Sequence, residues 1–102
     1  MNKFLIEYSN DSRQDLIEIK RYIKYNLHEP VIASKFINQI KNEVKKIANN
    51  PRIYPVIDDE LISKLKIRKI NVKNYIVFYK IKDSSINVVR ILYEKRNWMK
   101  LL

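Results

Sequence analysis

The 102-residue sequence contains no cysteine, no glycine and only one histidine, His28. Without cysteine the chain can form no disulfide and no thiolate metal site, and one histidine cannot make a multi-histidine site. Because a P-loop and a dinucleotide-binding fingerprint both require glycine, nucleotide sites of those kinds are excluded as well. We therefore expect neither a metal nor a cofactor. Without glycine, every turn is expected to use asparagine, aspartate, serine or proline.

Long apolar runs are also missing. No run approaches the roughly 20 residues that span a bilayer, and the first residues, MNKFLIEYSNDS, lack the apolar segment and the cleavage site of a signal peptide. These absences predict a cytoplasmic protein that has no membrane partner. The length suits one domain over residues 1–102, and the composition, 46% apolar and 31% charged, is typical of soluble globular proteins.

Positive charge, in contrast, is in excess. The net charge is +10, and residues 1–51 carry nine Lys and Arg against six Asp and Glu, whereas residues 52–102 carry twelve against five. After residue 60, only Asp83 and Glu94 oppose eleven cations. This asymmetry favours an anionic partner, either nucleic acid or an acidic protein segment, without choosing between them.

Hydrophobic periodicity predicts one strand and two helices in the first half of the chain. Residues 3–9 alternate as a strand whose apolar face is Phe4, Ile6 and Tyr8. Residues 9–11 offer an N-cap for a helix that ends near residue 26. The stripe of this helix, which Ser12 can extend, consists of Leu16, Ile19, Ile23 and Leu27.

The second helix is predicted to begin at Pro30, because proline suits the first turn of a helix. It is predicted to end before Pro51, where an asparagine of the pair at 49–50 can adopt a left-handed cap. Its apolar residues recur at helical spacing opposite a solvated face, and they are Ala33, Phe36, Ile37, Ile40, Val44, Ile47 and Ala48.

Three strands are predicted in the second half, over residues 65–72, 75–81 and 86–93, and tight turns join them. The alternation slips between Ile67 and Ile70, which predicts a bulge near Arg68 and Lys69. The last two strands are almost continuously apolar and are expected at the centre of the sheet. The order β-α-α-β-β-β predicts an α+β fold, in which two antiparallel helices pack on a small twisted, mainly antiparallel sheet.

Few residues are candidates for catalysis. A Ser-His-Asp triad needs a histidine as base, but His28 lies in the turn before Pro30, where a solvated loop histidine is the favoured interpretation. Asp58, Asp59 and Glu60 form one carboxylate run without a second cluster, which favours a solvated loop over a divalent-cation site.

Cations and aromatic rings are the remaining candidates, and most of them follow residue 63. Alternate residues of a strand share a face, so these side chains can form a nucleic-acid surface with stacking rings, or they can simply solvate an open sheet. Both interpretations stay open. Trp98 is favoured as a cap over the end of the sheet. Arg90 interrupts an apolar strand and, if buried, needs a carboxylate partner, for which Glu7 and Glu94 are the candidates.

Taken together, these segments resemble the RelE/ParE superfamily of bacterial type II toxins. The opening FLIEYS leads into RQDLIEIKRYI, which is similar to the first helix of that family, and ASKFINQIKNEVKKIANNPRIYP is similar to its second. The segment IRKINVKNYIVFYKIKDSSINVVRILYEKRNW resembles the strands and the basic motif that follow. The resemblance covers nearly the whole chain and is closer to the ParE branch.

The resemblance implies a toxin held inactive by a cognate antitoxin, which supplies an acidic or amphipathic segment. RelE-type members cut mRNA on the ribosome, whereas ParE-type members poison DNA gyrase. RelE-type cleavage commonly uses an arginine after the tyrosine that opens the middle strand, and here Tyr75 is followed by Ile76. Arg96 matches the second arginine of that set, and Tyr93 could substitute for the missing C-terminal acid.

We therefore expect a toxin that acts by binding, with DNA gyrase as its target, and a ribosome-dependent mRNA endoribonuclease is the alternative. If the protein is a nuclease, the catalytic residues are expected to be Tyr93, Lys95 and Arg96. The residues expected to contact the target or the antitoxin are Arg68, Lys69, Tyr75, Arg90, Arg96 and Trp98. A third interpretation is a relative that only retains the formation of a DNA-autoregulatory complex.

Overall fold

The computed structural model describes residues 4–102, so Lys3, at the start of the first predicted strand, lies outside the described residues. Its helices and strands are β1 (Leu5–Tyr8), α1 (Asn10–Asn26), α2 (Pro30–Ile47), β2 (Arg68–Val72), β3 (Tyr75–Lys82) and β4 (Ser85–Tyr93). Short 3-10 helices span Pro51–Ile53, Ser63–Leu65 and Trp98–Leu101. The element order confirms the predicted β-α-α-β-β-β arrangement.

The strands form one sheet in the order β1-β4-β3-β2. The last three strands are a meander of antiparallel neighbours, whereas β1 lies parallel to β4. Strands β3 and β4 therefore occupy the centre, as their apolar character predicted. The parallel pair joins the start of the chain to its last strand, with Leu5 beside Ser85 and Tyr8 beside Val88.

Helix α1 begins where a serine pair satisfies its first turn. The Ser9 hydroxyl accepts a hydrogen bond from the Ser12 backbone N–H at 2.9 Å, and the Ser12 hydroxyl donates to the Ser9 carbonyl at 2.9 Å. The buried stripe then follows the predicted spacing through Leu16, Ile19 and Ile23. Leu27 was wrongly placed in this stripe. Because the helix ends at residue 26, Leu27 is the C-cap and its side chain is 53% exposed.

Helix α2 begins at Pro30 as predicted and buries the predicted face. Its end differs from the prediction, because no asparagine adopts a left-handed cap. Instead the backbone tightens, and the N–H groups of Asn49 and Asn50 donate to the carbonyls of Lys46 and Ile47, three residues earlier. Neither α1 nor α2, the two long helices of residues 4–102, is apolar enough over a sufficient length to span a bilayer.

Four of the described residues adopt a positive φ although none is glycine. They are His28, Lys66, Lys73 and Asp83, with φ between 53° and 57°. Lys73 and Asp83 are the first residues of the two-residue hairpin loops, a position that has positive φ in both of the turn types favoured in such hairpins. Each of these loops also contains an asparagine, an aspartate or a serine, as expected for a chain without glycine, but in the first loop a lysine takes the position of positive φ. Each side chain in this region costs roughly 1–2 kcal/mol of conformational strain.

The sheet is covered on both faces. On the helix face, the strands contribute Ile70, Val72, Val77, Tyr79, Ile86, Val88 and Ile91 to a core shared with α1 and α2. On the opposite face, which we call the tail face, the buried residues are Ile67, Ile76, Phe78 and Leu92. The residues after β4 cover this second cluster, and the ring centroids of Trp98 and Phe78 lie 5.1 Å apart.

This two-sided cover explains why the predicted bulge in β2 is wrong. Ile67 and Ile70 belong to opposite faces, so their odd spacing needs no slip, and β2 pairs regularly with β3. The irregularity lies in β4 instead. Phe78 pairs with Arg90 and Tyr79 with Val88, which leaves one extra residue, at position 89, on β4.

Tyr79 links the sheet to the segment after α2. Its side chain is fully buried, and its hydroxyl donates a hydrogen bond of 2.8 Å to the carbonyl of Pro51. Burial raises the pKa of Tyr79 from 10.0 to about 12, because the phenolate would lose its hydration. The protonated form is therefore part of the folded state.

We expect the free energy of unfolding to fall as the pH rises from 10.0 to about 12. Over this window the unfolded chain releases the Tyr79 proton while the folded chain retains it, so alkali favours unfolding. Tyr79→Phe should make the fall shallower, while costing about 1 kcal/mol at neutral pH for the lost hydrogen bond. Urea denaturation of both proteins on each side of pH 10.0 measures the difference. Parallel pH profiles would contradict this assignment.

A second prediction concerns the buried face of α2. Ile40 is 0% exposed, so Ile40→Asp should cost several kcal/mol, about as much as an unpaired charge in a core, and should leave the protein largely unfolded. Gln39→Asp, on the exposed side of the same turn, is the matched control and should change stability by about 0.5 kcal/mol or less. Circular dichroism during heating measures the unfolding temperature of each variant. Equal unfolding temperatures for Ile40→Asp and Gln39→Asp would contradict the assigned orientation of α2.

Candidate binding site between α1 and β4

A buried ion pair joins α1 to β4. The Asp15 carboxylate accepts hydrogen bonds from Arg90 Nε at 2.8 Å, from Arg90 Nη2 at 2.9 Å and from the backbone N–H of Ile91 at 2.9 Å. Asp15 is 6% exposed. Three donors satisfy the carboxylate, which is the condition under which a charge can be buried without a large penalty.

The end of β1 creates the place for this carboxylate. The backbone N–H of Ser9 donates to the Val88 carbonyl at 3.0 Å, and the Ser9 hydroxyl donates to the Val89 carbonyl at 2.8 Å. Beyond this point no strand of residues 4–102 pairs with β4 on that side, and Asp15 accepts a hydrogen bond from the Ile91 N–H in place of a strand. The first turns of α1 therefore continue the hydrogen bonding that β1 begins.

Arg90 also reaches the segment that follows β4, because Nη1 donates to the Leu101 carbonyl at 3.4 Å. The hydrogen bonds that Arg90 donates to Asp15 raise the pKa of Arg90 further above its already high value, so this guanidinium stays charged. The expected carboxylate partners, Glu7 and Glu94, were wrong. Both are exposed, whereas Asp15 lies on the buried side of α1.

Beside the ion pair, aromatic rings form a groove between the helices and the end of the hairpin. We call it the tyrosine groove; its volume is about 670 Å³ and it is lined by Tyr22, Ile23, Leu27, Ile32, Phe36, Lys73, Asn74, Tyr75 and Tyr93. The ring of Tyr75 lies between two others: its centroid is 5.6 Å from that of the Phe36 ring and 5.8 Å from that of the Tyr93 ring. Such tilted and edge-to-face pairs hold the rings in fixed orientations.

The groove is mainly apolar and offers hydroxyl groups as donors. Burial, and then the neighbouring hydroxyls of Tyr22 and Tyr93, raise the pKa of Tyr75. Tyr75 therefore stays protonated at neutral pH and cannot serve as a base. Tyr22 and Tyr93 are 50% and 40% exposed, so a partner can reach the rings directly.

A smaller cleft of about 160 Å³ adjoins the tyrosine groove and brings Tyr93 and Arg96 together with Glu18 and Asp15. A turn fixes Arg96 after β4, because its backbone N–H donates to the Tyr93 carbonyl at 3.0 Å. Within residues 4–102, Arg96 forms no ion pair, and its guanidinium can therefore take an anion from a partner.

Comparison with known proteins now decides the family. The model of the ParE toxin of the type II toxin–antitoxin system, parDE, matches residues 6–98, most of the chain. The chain belongs to the ParE toxin family. A solved chain described as "Chromosomal ParDE TA system from P. aeruginosa" superposes with a TM-score of 0.74, covering 89% of this chain and 96% of that one at 17% identity, and so supports the shared fold. No curated protein sequence matches this chain.

In this ParE-family chain, the residues expected to contact a partner do not form one surface. Tyr75 and Arg96 line the tyrosine groove and its adjoining cleft, whereas Lys69 and Trp98 lie on the tail face, with Lys69 Nζ 5.2 Å from the centroid of the Trp98 ring. Arg90 is engaged in the ion pair.

The remaining predicted residues of the family member have different surroundings. Arg68 donates from Nη1 to the carbonyls of Arg52 and Tyr54, and it thereby anchors the segment before β2. Lys95 is exposed in the turn after β4, next to Arg96. Of the residues expected for a nuclease, the structure thus brings Tyr93 and Arg96 into one cleft.

Several groove residues were missed by the sequence reasoning. Asp15 follows Ser12 by three residues and precedes Ile19 by four, so helical periodicity could have placed it on the buried face. Tyr22 was noted only as flanking the stripe of α1. Phe36 was assigned to the core. The hydrophobic periodicity gave no indication that Phe36 and Lys73 would line the same groove.

The ion pair yields a prediction for this ParE-family fold. Asp15→Ala should lower the free energy of unfolding by roughly 3 kcal/mol, because it leaves the partly buried Arg90 without its partner and removes the acceptor of the Ile91 N–H. Asp11→Ala, in the same helix but exposed, should cost no more than about 1 kcal/mol. Chemical denaturation gives both values. If both variants lost the same free energy of unfolding, Asp15 would contribute only a negative charge near the start of α1.

Proposed function

We propose that this chain is the toxin of a type II toxin–antitoxin module, that it stops growth by binding DNA gyrase in the cytoplasm, and that a cognate antitoxin neutralises it. Membership of the ParE toxin family carries the first part of this proposal. The choice of a binding mechanism over RNA cleavage rests on the chemistry of residues 75–96.

The main observation is the environment of Ile76. In the RelE-type arrangement an arginine follows the tyrosine that opens the middle strand, but here Ile76 takes that position in β3. Its side chain points into the tail-face core and is 5% exposed. No cation is therefore delivered from this position to a phosphate, and replacement by arginine would place a charge in an apolar core.

The residues that match the RelE-type set do not complete an acid–base pair. Cleavage of RNA through the 2′-hydroxyl needs a base for that hydroxyl, an acid for the leaving oxygen and positive charge on the phosphate. Arg96 can supply the charge but is always protonated. Tyr75 has a raised pKa and is also protonated, so these residues provide charge and a proton donor without a base.

The tyrosine groove instead has the chemistry of a protein-binding site. Tyrosine rings with exposed faces and an arginine at the rim are the residue types that dominate binding energy at protein interfaces. The groove can take apolar side chains from a partner, and Arg96 can take a carboxylate. A net charge of +10 also suits an acidic or amphipathic antitoxin segment.

Ribosome-dependent cleavage of mRNA is the second candidate function. One observation favours it, namely that Tyr93 and Arg96 line the same cleft. In that mechanism the Tyr93 hydroxyl would donate the proton to the leaving oxygen, while Arg96, with Lys95 beside it, would bind the phosphate.

Two variants separate these mechanisms. For a binding toxin, purified protein should inhibit supercoiling by gyrase, and Arg96→Ala should weaken the inhibition by about tenfold, the equivalent of one charge-assisted contact of ~1.4 kcal/mol. Tyr93→Phe keeps the ring and should inhibit nearly as well as the parent. Supercoiling assays over a concentration series measure both effects, with Lys20→Ala, on the exposed face of α1, as control.

The same proteins should be tested on ribosome-bound mRNA. Cuts at defined codons that disappear in Tyr93→Phe, together with unaffected gyrase, would overturn the gyrase proposal in favour of the nuclease. If folded Arg96→Ala inhibits gyrase as well as the parent does, gyrase binding does not use this cleft.

A further inference from the structure

The tail face of the sheet is covered over only part of its area. The segment after β4 covers the part around Phe78, where Trp98 and Leu101 pack on the tail-face core. Further along β3, Lys80 and Lys82 follow Phe78 at alternate positions, so they lie on the same face of the sheet. Lys80 is half-buried and Lys82 is exposed. The end of β3 therefore presents cations on the uncovered part of the tail face.

A third cation borders this part from the edge strand. Lys69 of β2 pairs with Phe78, so Lys80, two residues further along β3, is its diagonal neighbour on the same face. The Nζ atom of Lys69 lies 5.2 Å from the centroid of the Trp98 ring, which holds this ammonium group at the border of the covered part. We call Lys69, Lys80 and Lys82 the lysine patch.

The charge of the lysine patch is not neutralised within the part of the chain that the structure describes. None of its three lysines forms an ion pair there, whereas on α2 Lys46 Nζ lies 3.1 Å from Glu43 Oε1. The carboxylate that shares the face, Glu7 of β1, is two strands away from Lys80, so their backbones are roughly 10 Å apart. Asp83 lies in the hairpin loop that follows β3. The patch can therefore take an anion from a partner.

The surroundings of the lysine patch suit phosphates better than bases. Binding of single-stranded nucleic acid uses exposed rings on which bases stack. Here Phe78 is 0% exposed, and the Trp98 ring packs on it and lies beside Lys69. Lysine contacts phosphates without distinguishing the bases. A duplex, whose bases are stacked inside and whose phosphates are outside, is the form of nucleic acid that matches these groups.

We propose that the lysine patch binds the phosphate backbone of duplex DNA without reading its sequence. The choice of DNA rests on the proposed function, because gyrase holds a DNA duplex while it changes its supercoiling, and a toxin bound to gyrase would have that duplex within reach. Each lysine that contacts a phosphate displaces a counterion, so the affinity falls as salt is added. The proposal also gives a role to part of the positive charge of residues 52–102, where twelve cations oppose five acids.

The test uses the purified protein, without gyrase or antitoxin, and a short fluorescent DNA duplex whose binding is followed by anisotropy over a range of salt concentrations. Lys80→Gln/Lys82→Gln should weaken binding by about tenfold at low salt and lower the slope of log affinity against log salt by about two, one for each lost phosphate contact. Lys41→Gln/Lys45→Gln, on the exposed side of α2, removes the same charge and should leave the slope unchanged. Should the first pair prove unfolded by circular dichroism, Lys82→Gln alone, at an exposed position, should lower the slope by about one.

Several results would overturn the proposal. Equal weakening by the two pairs would show a general attraction between the basic protein and DNA. Tighter binding of the single strand, or of an RNA duplex of the same sequence, would show a different kind of nucleic-acid site. If the duplex is not bound while supercoiling is still inhibited, this proposal fails and the proposed function stands. If the duplex is bound through the lysine patch but gyrase is unaffected, the gyrase target is wrong and the DNA-binding surface remains.

Discussion

The carboxylate of Asp15 is the point at which helix α1, the sheet and the segment after β4 are held together. It neutralises Arg90, which also reaches the Leu101 carbonyl, and it accepts from the N–H of Ile91. Buried ion pairs contribute little net stability compared with an apolar replacement, but their geometry is restrictive. We interpret this pair as the contact that fixes the rotation of α1 over β4. The positions of Tyr22 and Tyr93, on the same two elements, then follow.

The helix pair separates two surfaces of different chemistry. At one end, the tyrosine groove presents rings and a single lysine, Lys73. At the other, a second groove presents three cations over an aliphatic floor, and its lining residues are Ile6, Tyr8, Arg13, Leu16, Lys41 and Lys45. Both grooves lie beside α1. The bulge residue of β4, Val89, accepts a hydrogen bond from Ser9 just before this helix, and Ile91, two residues later, donates to Asp15 within it. One segment of irregular sheet therefore positions the helix that shapes both grooves.

Periodicity was sufficient to predict the elements and most of the core, because the buried residues of α2, β3 and β4 repeat at the spacing of helices and strands. It failed where the structure depends on contacts between distant segments. The partner of Arg90 is decided by the rotation of α1, which no local pattern records. The apparent slip at Ile67 came from a second core on the tail face, and Lys73 adopts a conformation that its residue type disfavours. The grooves, which need three elements each, were accordingly invisible in the sequence.

The parallel pairing of β1 with β4 also determines when the protein can fold during its synthesis. The Ser9 hydroxyl bonds a carbonyl 80 residues later, and α1 packs directly against β4. The helices leave the ribosome first, but their apolar faces have no sheet to cover until β4 has been made. Contacts so distant in sequence form late, because closing a long loop costs entropy before any contact repays it. The tyrosine groove, whose lining includes Tyr93 at the end of β4, therefore cannot form until nearly the whole described sequence has been translated.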